Sequence, residues 1–476
     1  MTEKLLNQST SIREKLRRYR QEHLLNFFDQ LDSQAQIQLL NEIDSIDFPF
    51  IKELIDRYVL NEPQLNLPDE IIPAPMYPAI PESDQREKYQ QACQLGRKYI
   101  AAGKVAVFTV AGGMGTRLKI DGPKGNVAAT PVKNKTLFRV FAEGIVATQK
   151  RYNCTVPWYI MTSPANHDDT VRSFEQNSYF GLDPANVIHF PQGMMPSFDT
   201  EGKILLREPN RLALSPDGHG GSLRALYRSG ALRDMARRGI EHMSYFQIDN
   251  PLVYAVDPLF IGLHVLDGAE MSSKAVLKCD PLERVGNFAC VNGRVNVIEY
   301  SDLPEDMARK KRDDGRLLFE AGSIAIHIIS RRFVEKINDH GFSLPWHRAQ
   351  KQVPFVDMQG TLVHPTKPNA IKLETFVFDA LPLADRSIIL EIDRSEQFAP
   401  IKNASGVDSL ETSQKLQVQR AARWLEQADI PAPRKADGSP DVNIEISPLF
   451  ALDPDELEQK RDQIPVVHPG DTLYLE

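Results

Sequence analysis

The sequence predicts an α/β protein with a large mixed sheet, an N-terminal helical cap and a small C-terminal domain. Three observations predict this fold. Short apolar runs alternate with amphipathic helical patterns through the middle of the chain, as in parallel sheets. The first sixty residues carry helical spacing, and beyond Pro400 a helical pattern over about 412–427 precedes a Pro-rich tail. We therefore predict domains over 1–90, 91–395 and 396–476.

The N-terminal residues repeat apolar side chains at spacings of three and four, which is typical of amphipathic helices. Six of the chain's 33 prolines lie between Pro63 and Pro81. Each proline removes a backbone donor and fixes φ, so this stretch is predicted to be an extended strap from the cap to the main domain. The helical positions are Leu16, Tyr19, Leu24, Leu25, Phe28, Leu31, Leu39, Leu40 and Ile43.

The main domain is predicted to begin with a helix over Tyr89–Ala101 and a strand over Val105–Val110. A second helix carries Leu137, Phe141 and Ile145 on one face, with Thr136 as its N-cap. Further apolar runs predict strands at Trp158–Thr162, Val187–Phe190, Ser244–Ile248, Ala275–Leu277 and Ile324–Ile329.

Composition restricts the class of partner. The 476 residues carry 56 basic and 64 acidic side chains, a formal net charge of −8. This charge disfavours a nucleic-acid partner, because non-specific nucleic-acid binding depends on a positive field. The sequence has neither an 18-residue apolar run nor an apolar leader, and its four cysteines form no CxxC pair. We expect a cytoplasmic protein without a membrane partner; oligomeric state is not predicted.

The most informative segment is the glycine turn Ala111–Gly115, which follows the predicted strand Val105–Val110. Open parallel sheets bind ligands at the carboxyl ends of their strands, and glycines allow backbone N–H groups to approach anionic oxygens. Five cations and one acid, Asp121, lie between 117 and 135. This local charge predicts a phosphate site; the cations are Arg117, Lys119, Lys124, Lys133 and Lys135.

Two familiar nucleotide motifs do not fit this turn. A dinucleotide fingerprint read from Gly113 requires a small residue at position 118, where this chain has Leu118. A Walker A loop requires Gly-Lys-Ser/Thr, which does not follow these glycines. An NAD-dependent oxidoreductase is therefore disfavoured.

GGMGTRL followed by GPKG resembles the signature of the sugar-1-phosphate nucleotidyltransferases. Ten further blocks, in order over roughly 90–410, resemble the eukaryotic-type UDP-N-acetylglucosamine pyrophosphorylases. The resemblance implies a Rossmann-like nucleotidyltransferase core that joins UTP and a sugar 1-phosphate into a UDP-sugar and pyrophosphate. The blocks are WYIMTS, YFGLDPANVIHFPQGMMPSFD, GKILL, LSPDGHGGSLRAL, QIDNPLVYAVDPLFIG, VGNFACVNG, VIEYSDL, DGRLLFEAGSIAIH, PNAIKLETFVFDAL and FAPIKNA.

The resemblance also implies roles for individual residues. Arg117, Lys124 and Lys402 would act on the phosphates, and Asp249, at the end of a strand, would hold Mg²⁺, a cation that prefers oxygen ligands. Gln192 would recognise the uracil edge. The other nucleotide-binding residues would be Ala111, Gly112, Gly113, Gly218 and His219; the sugar-binding residues would be Gly286, Glu299, Ser323, Phe376 and Phe378, the two phenylalanines alternating on one strand.

Two residues depart from the family pattern. His219 replaces the Asn of the GNGG block, so that DGHGG resembles the turn of UDP-glucose and UDP-sugar pyrophosphorylases. Ser323 replaces the Asn that helps to hold the amino sugar. N-acetylhexosamine 1-phosphate is the favoured substrate, and the alternative is a UTP–glucose-1-phosphate or broad UDP-sugar pyrophosphorylase. An alternative of another class is a non-catalytic regulator that binds nucleotide sugars.

Overall fold

The computed structural model describes residues 3–62, 70–339, 341–342 and 344–476. These residues pack into two compact units. The first unit contains the chain up to residue 62 with 193–221 and 344–377. The second unit contains residues 70–192, 222–339, 341–342 and 378–476.

The elements alternate along the chain as the fold class requires. The α-helices are α1 (Glu3–Arg18), α2 (Ser33–Asp44), α3 (Phe48–Leu54), α4 (Arg86–Ala101), α5 (Leu137–Tyr152), α6 (His167–Gln176), α7 (Gly221–Arg228), α8 (Ala231–Arg237), α9 (Pro258–Leu266), α10 (Glu305–Ala308), α11 (Arg331–Asp339), α12 (Arg394–Gln397), α13 (Leu410–Gln427) and α14 (Pro454–Gln459). The strands are β1 (Ile72–Pro73), β2 (Val105–Val110), β3 (Trp158–Thr162), β4 (Val187–Pro191), β5 (Met194–Pro196), β6 (Leu206–Glu208), β7 (Arg211–Leu212), β8 (Leu214–Pro216), β9 (His242–Gln247), β10 (Met271–Leu277), β11 (Gly286–Val291), β12 (Arg294–Ile298), β13 (Ala321–Ser330), β14 (His347–Lys351), β15 (Phe355–Val356), β16 (Leu362–Val363), β17 (Ala370–Glu374), β18 (Ser387–Glu391), β19 (Asn443–Ile446) and β20 (Thr472–Leu475).

A large mixed sheet forms the centre of the second unit, in the order β1-β11-β13-β9-β2-β3-β4 with β10, β12 and β18 attached to it. Strands β9, β2, β3 and β4 are parallel neighbours, whereas β13 runs antiparallel to β9 and β10. The predicted α/β class with a mixed sheet is confirmed. The parallel strands bring the loops after β2, β3, β4 and β9 to one edge of the sheet, which is called the carboxyl edge below.

Sequence patterns predicted the parallel part of this sheet well. Strands β2 and β3 have the predicted bounds, and β9 begins at His242, two residues earlier than expected. Thr136 caps α5 as predicted, since its hydroxyl accepts a hydrogen bond from the backbone N–H of Arg139 at 3.2 Å. Every residue of β3 is buried, which explains why a continuous apolar run without alternation identified it.

The first unit is discontinuous in sequence, unlike the predicted cap over 1–90. Helices α1–α3 share one apolar core with residues from the two later segments, including Phe198, Ile204, Ile371 and Leu373. Helix α4, which lies partly inside the predicted cap, belongs to the second unit. The helical faces of the N-terminal segment were visible in the sequence, but the distant residues that cover them were not.

The strap is described only after residue 69, and the predicted part over 63–69 lies outside the described residues. From residue 70 onward, the strap is hydrogen-bonded to the sheet of the second unit. Strand β1 pairs with β11, and the backbone N–H of Tyr77 donates to the carbonyl of Ile389 at 2.8 Å.

The C-terminal end of the second unit has a small core of its own. Helices α13 and α14 and the parallel pair β19–β20 contribute Trp424, Leu425, Ile444, Leu457 and Leu475 to it. The predicted helix over about 412–427 is confirmed as α13. In the described part of the chain, none of the helices has the length and apolar character needed to cross a membrane.

Candidate active site

A clamp formed by Asn166 fixes the glycine turn after β2. The Asn166 side chain is 1% exposed, and its Nδ2 donates to the carbonyls of Ala111 at 2.9 Å and Gly113 at 3.2 Å. Its Oδ1 accepts from the backbone N–H of Ser163 at 2.8 Å. These two bonds turn the carbonyls of Ala111 and Gly113 inward, and in the described part of the chain the N–H groups of Gly112 and Gly113 have no backbone acceptor, so they can face a ligand. Asn166 was not among the predicted site residues.

The chain after the turn folds back on itself and returns Lys124 to the glycines. The N–H of Gly115 donates to the carbonyl of Gly122 at 3.0 Å, and the N–H of Lys124 donates to the carbonyl of Gly113 at 3.1 Å. Gly122 has a φ of +113°, in the region that favours glycine. The GPKG motif thus closes the loop and places a cation beside the turn.

Gln192 lies against the same turn. It follows β4, its backbone N–H donates to the carbonyl of Thr162 at 2.8 Å, and its side chain is 8% exposed. A Cβ added at Gly112 would lie 2.9 Å from Nε2 of Gln192. Position 112 therefore needs a glycine for the amide to approach the backbone. The structure brings Ala111, Gly112, Gly113 and Gln192 together, and their binding of a nucleotide stays a prediction.

Lys124 and Asp249 form an ion pair at the carboxyl edge. Nζ of Lys124 lies 3.3 Å from Oδ2 of Asp249, and the two side chains are 17% and 12% exposed. Strands β2 and β9 are adjacent and parallel, so the segments that follow them meet here. The pair is largely shielded from water, which strengthens its interaction with any further charge that enters.

Lys402 belongs to a segment that is bonded to Asp249. The N–H of Ile401 donates to the Asp249 carbonyl at 2.9 Å, which brings the next residue, Lys402, to the carboxyl edge. Burial raises the pKa of the nearby Asp408 carboxyl, the positive charge of Lys402 lowers that pKa, and the negative charge of Asp249 raises it. Lys402 and Asp249 thus act electrostatically on the same neighbour.

The predicted cluster of five cations is smaller than the sequence suggested. Arg117 is exposed and has no ion pair among the described residues, and Lys124 faces Asp249. Lys135, however, is buried in an ion pair of 2.5 Å with Glu143, and Nζ of Lys133 lies 4.7 Å from the ring centroid of Tyr474. The backbone bond from Ala129 to Lys135 closes a separate loop, which directs these two lysines away from the glycine turn.

Three predicted sugar-binding residues lie together on the antiparallel side of the sheet. Gly286 on β11 is paired with Ser323 on β13. A Cβ added at Gly286 would lie 3.6 Å from Oε1 of Glu299 and 3.7 Å from Cβ of Ser323. These residues therefore lie next to one another and bring a carboxylate and a hydroxyl together, with Cγ1 of Val297 as the atom nearest to a Cβ at Gly286, at 2.5 Å.

The DGHGG turn belongs to the first unit, unlike the glycine turn. Gly218 has a φ of +86°, and a Cβ there would lie 2.3 Å from the Thr375 carbonyl oxygen. Nδ1 of His219 accepts from the N–H of Val377 at 3.1 Å, and its ring stacks on Phe376 with centroids 5.1 Å apart. Burial lowers the pKa of His219 to about 4, so its ring is neutral at pH 7.

The predicted strand for Phe376 and Phe378 is wrong. Strand β17 ends at Glu374, and a 3₁₀ helix occupies Val377–Leu383. Thr375 uses its backbone groups on the DGHGG turn instead of a sheet, donating to the Asp217 carbonyl at 2.8 Å and accepting from Gly220 at 2.8 Å. The two phenylalanines consequently do not share a strand face, and Phe376 belongs to the first unit while Phe378 belongs to the second.

For a metal ion, the described residues at the carboxyl edge offer one carboxylate, that of Asp249, rather than a preformed cage. Among the described residues, no group of three or more His, Cys, Asp or Glu side chains is arranged to hold a metal ion. Mg²⁺ commonly binds through one or two carboxylates together with substrate phosphates and water. Asp249, beside cations suited to phosphate, fits that arrangement.

Comparisons with known proteins agree on one family. The family described as UTP–glucose-1-phosphate uridylyltransferase matches residues 52–471. The chain is 36% identical over 475 residues to human UDP-N-acetylhexosamine pyrophosphorylase-like protein 1, covering 94% of each chain. It is 36% identical over 428 residues to the UDP-N-acetylglucosamine pyrophosphorylase of Saccharomyces cerevisiae, covering 87% of each.

A solved structure shows the same fold over nearly the whole chain. The uridine diphosphate N-acetylglucosamine pyrophosphorylase from Trypanosoma brucei, in complex with inhibitor, superposes with a TM-score of 0.82 at 26% identity. The match covers 98% of both chains. These findings agree with the resemblance carried by the sequence motifs.

The clamp on the glycine turn can be tested by Asn166→Ala. We expect this change to raise the KM for UTP about tenfold, equivalent to about 1.4 kcal/mol, because the released turn carbonyls let the turn move. Asn177→Ala is a matched control, since its exposed side-chain amide donates to the carbonyl of Ser173 in α6 and has no other side-chain hydrogen bond within the described ranges. Steady-state kinetics measure both variants; an unchanged KM for UTP in Asn166→Ala would contradict the assigned role of the clamp.

Proposed function

This chain belongs to the UTP–glucose-1-phosphate uridylyltransferase family, and on that premise we propose that it transfers the uridylyl group of UTP to an N-acetylhexosamine 1-phosphate. The coarser activity follows from the family: the chain is a UTP-dependent sugar-1-phosphate uridylyltransferase that forms a UDP-sugar and pyrophosphate. The observation that carries the proposed mechanism is the Lys124–Asp249 pair beside the glycine turn.

The chemistry explains why the site is rich in cations and needs no catalytic base. A phosphate oxygen of the sugar 1-phosphate attacks the α-phosphorus of UTP, and the bond to the bridging oxygen breaks as pyrophosphate leaves. The nucleophile is already ionised at neutral pH, so no proton has to be removed. Catalysis then depends on in-line positioning and on neutralising charge as it moves to the leaving group.

Three cations are proposed to divide this work. Arg117 is exposed beside the turn, where it can follow the departing pyrophosphate. Lys124 lies at the turn itself and would contact the phosphates of both substrates. Lys402 would approach the phosphates from the segment bonded to Asp249. Cations on separate segments can surround a phosphate without competing for the same oxygen.

The nucleotide base is proposed to bind at Gln192. An amide offers both a donor and an acceptor, which matches the edge of uracil. The close approach of this amide to Gly112 supports a position for the base beside Ala111 and the N–H groups of Gly112 and Gly113, the N–H of Ala111 being bonded to the Met161 carbonyl at 2.8 Å. Gly218 and the neutral His219 remain nucleotide-binding candidates, and for them the support is the family motif alone.

We propose Mg²⁺ as the cofactor, with Asp249 as its protein ligand. Bound there, the ion would add positive charge to the phosphates beyond what the lysines supply. Lys124 pairs with the same carboxylate, so it would orient Asp249 before the ion and the substrate arrive.

Removal of divalent cations tests this cofactor. We expect EDTA to abolish pyrophosphate release and excess Mg²⁺ to restore it, because one carboxylate plus substrate oxygens must hold the ion. Asp249→Asn should raise the Mg²⁺ concentration needed for half-maximal rate, measured by titration. A control substitution at Asp314, an exposed carboxylate, should leave that concentration unchanged. Full turnover in EDTA would remove Mg²⁺ and Asp249 from the proposed mechanism.

The sugar is proposed to bind beside Gly286, Glu299 and Ser323. Glu299 can accept hydrogen bonds from sugar hydroxyls. Phe376 and Phe378 remain sugar-binding candidates on the family resemblance alone. The relatives named above are described by N-acetylhexosamine or N-acetylglucosamine, which supports an amino sugar. Ser323 is shorter than the family's Asn, which favours the second candidate, a glucose or broad-specificity enzyme.

Pyrophosphate release from UTP with a panel of sugar 1-phosphates tests the function. We expect the highest kcat/KM with N-acetylglucosamine 1-phosphate, ahead of the N-acetylgalactosamine, glucose and galactose compounds. Ser323→Asn should increase the preference for N-acetylglucosamine over glucose by up to about tenfold, the value of roughly one hydrogen bond. Ser301→Asn, at an exposed serine, is the control.

Each other outcome of the panel has a defined meaning. Preference for glucose 1-phosphate would establish the second candidate instead. No release with any sugar, together with binding of a UDP-sugar, would support the non-catalytic regulator.

The cytoplasm remains the compartment that we propose, supported by four cysteines that are all free.

A further inference from the structure

A lysine is buried completely in the sheet of the second unit. Lys274 on β10 is 0% exposed, and its Nζ donates to Oδ2 of Asp257 at 2.6 Å and to Oε1 of Gln397 at 2.6 Å. Its ammonium also lies 5.3 Å from the ring centroid of Phe260. Burying an ion pair costs several kcal/mol of desolvation for each ion, and apolar replacements often stabilise a protein more. The pair therefore calls for an explanation other than stability.

Gln397 begins a segment in which every second residue is hydrogen-bonded to the loop after β9. The carbonyl of Gln397 accepts from Nδ2 of Asn250 at 2.7 Å, and Oδ1 of Asn250 accepts from the N–H of Ala399 at 3.0 Å. The N–H of Ile401 then donates to the carbonyl of Asp249 at 2.9 Å. Gln397 thus connects the buried ion pair to the backbone that carries Lys402.

Helix α13 holds the same segment from its other side. The carboxylate of Glu396 accepts from Nε of Arg423 at 2.9 Å and from Nε1 of Trp424 at 2.8 Å. The hydroxyl of Ser413 donates to the carbonyl of Ala399 at 2.7 Å. Residues 396–401 are therefore fixed both by the C-terminal helix and by the loop after β9, and Lys274 lies at the start of this arrangement.

We propose that Lys274 is a positioning residue for uridylyl transfer, acting through Gln397 to hold Lys402 beside Asp249. The inference rests on the proposed role of Lys402, since Lys274 itself does not touch substrate. Its ammonium bonds the Gln397 side chain, so the segment cannot move away from β10 without breaking a partly buried, charge-assisted hydrogen bond. Such a bond is stronger than a neutral one and restricts the position of the next cation along the chain.

The variant Gln397→Met tests this inference without removing a charge. Methionine keeps the side-chain length but cannot accept from Lys274, while Lys274 keeps Asp257. We expect kcat to fall on the order of 10- to 100-fold, as for a small displacement of a catalytic group, with little change in the KM for UTP. Lys274→Met is the second variant and should show the same pattern. Lys104→Met is the control. It breaks an ion pair of 2.7 Å between Lys104 and Glu241, which lie at the amino ends of β2 and β9, away from the carboxyl edge. Its kcat should not change.

Combination with Lys402→Ala separates positioning from general stability. If Lys274 acts through Lys402, Gln397→Met adds no further loss of kcat in the Lys402→Ala background. An equal loss in both backgrounds would overturn the inference, as would wild-type kcat in Gln397→Met. If Lys402→Ala alone keeps wild-type turnover, the proposed role of Lys402 fails instead. Melting temperatures of all variants identify any loss of kcat that only follows unfolding, a result that would also count against the inference.

Discussion

The ion pair between Lys124 and Asp249 is the constraint on which the rest of the site depends. A lysine and a carboxylate from residues 125 positions apart meet at 3.3 Å because β2 and β9 are parallel neighbours in register. For Lys124 to reach that point, the chain after β2 must turn back at once, which the glycines and the Asn166 clamp allow. Asp249 is held in position because its backbone carbonyl accepts a hydrogen bond from the N–H of Ile401, in the segment that leads to Lys402. The pair thus joins three parts of the chain.

The pair also explains how a protein with a net charge of −8 can accept two highly anionic substrates. Lys124 and Asp249 neutralise one another before substrate binds, so neither is left as an isolated, poorly solvated charge. An entering phosphate can then bind the lysine, while the carboxylate can bind a cation that accompanies the phosphate. Arg117 and Lys402 supply further positive charge from other segments. A few cations on these segments can thus meet anionic substrates although the chain as a whole is acidic.

Sequence reasoning succeeded where a local pattern has one structural meaning. Buried strands β2 and β3, the Thr136 cap and the glycine turn could be predicted because each depends on neighbouring residues. It failed where proximity in sequence is not proximity in space, as for Lys135, which turns away to Glu143. It also failed where alternation has two meanings, as for Phe376 and Phe378 in a loop and a 3₁₀ helix. Asn166 and Lys274 were missed because their partners lie 55 and 123 residues away, and only the fold brings them together.

The most direct test of this account compares turnover and binding in Lys124→Ala. Lys124 is proposed to interact more strongly with the charge that develops in the transition state than with the bound product or substrate. Single-turnover rates should therefore fall on the order of 100-fold or more, as when one oxyanion donor is removed. The dissociation constant for the UDP-sugar, measured by calorimetry, should change by less than about tenfold. Near-normal turnover, or equal losses in rate and binding, would contradict the claim.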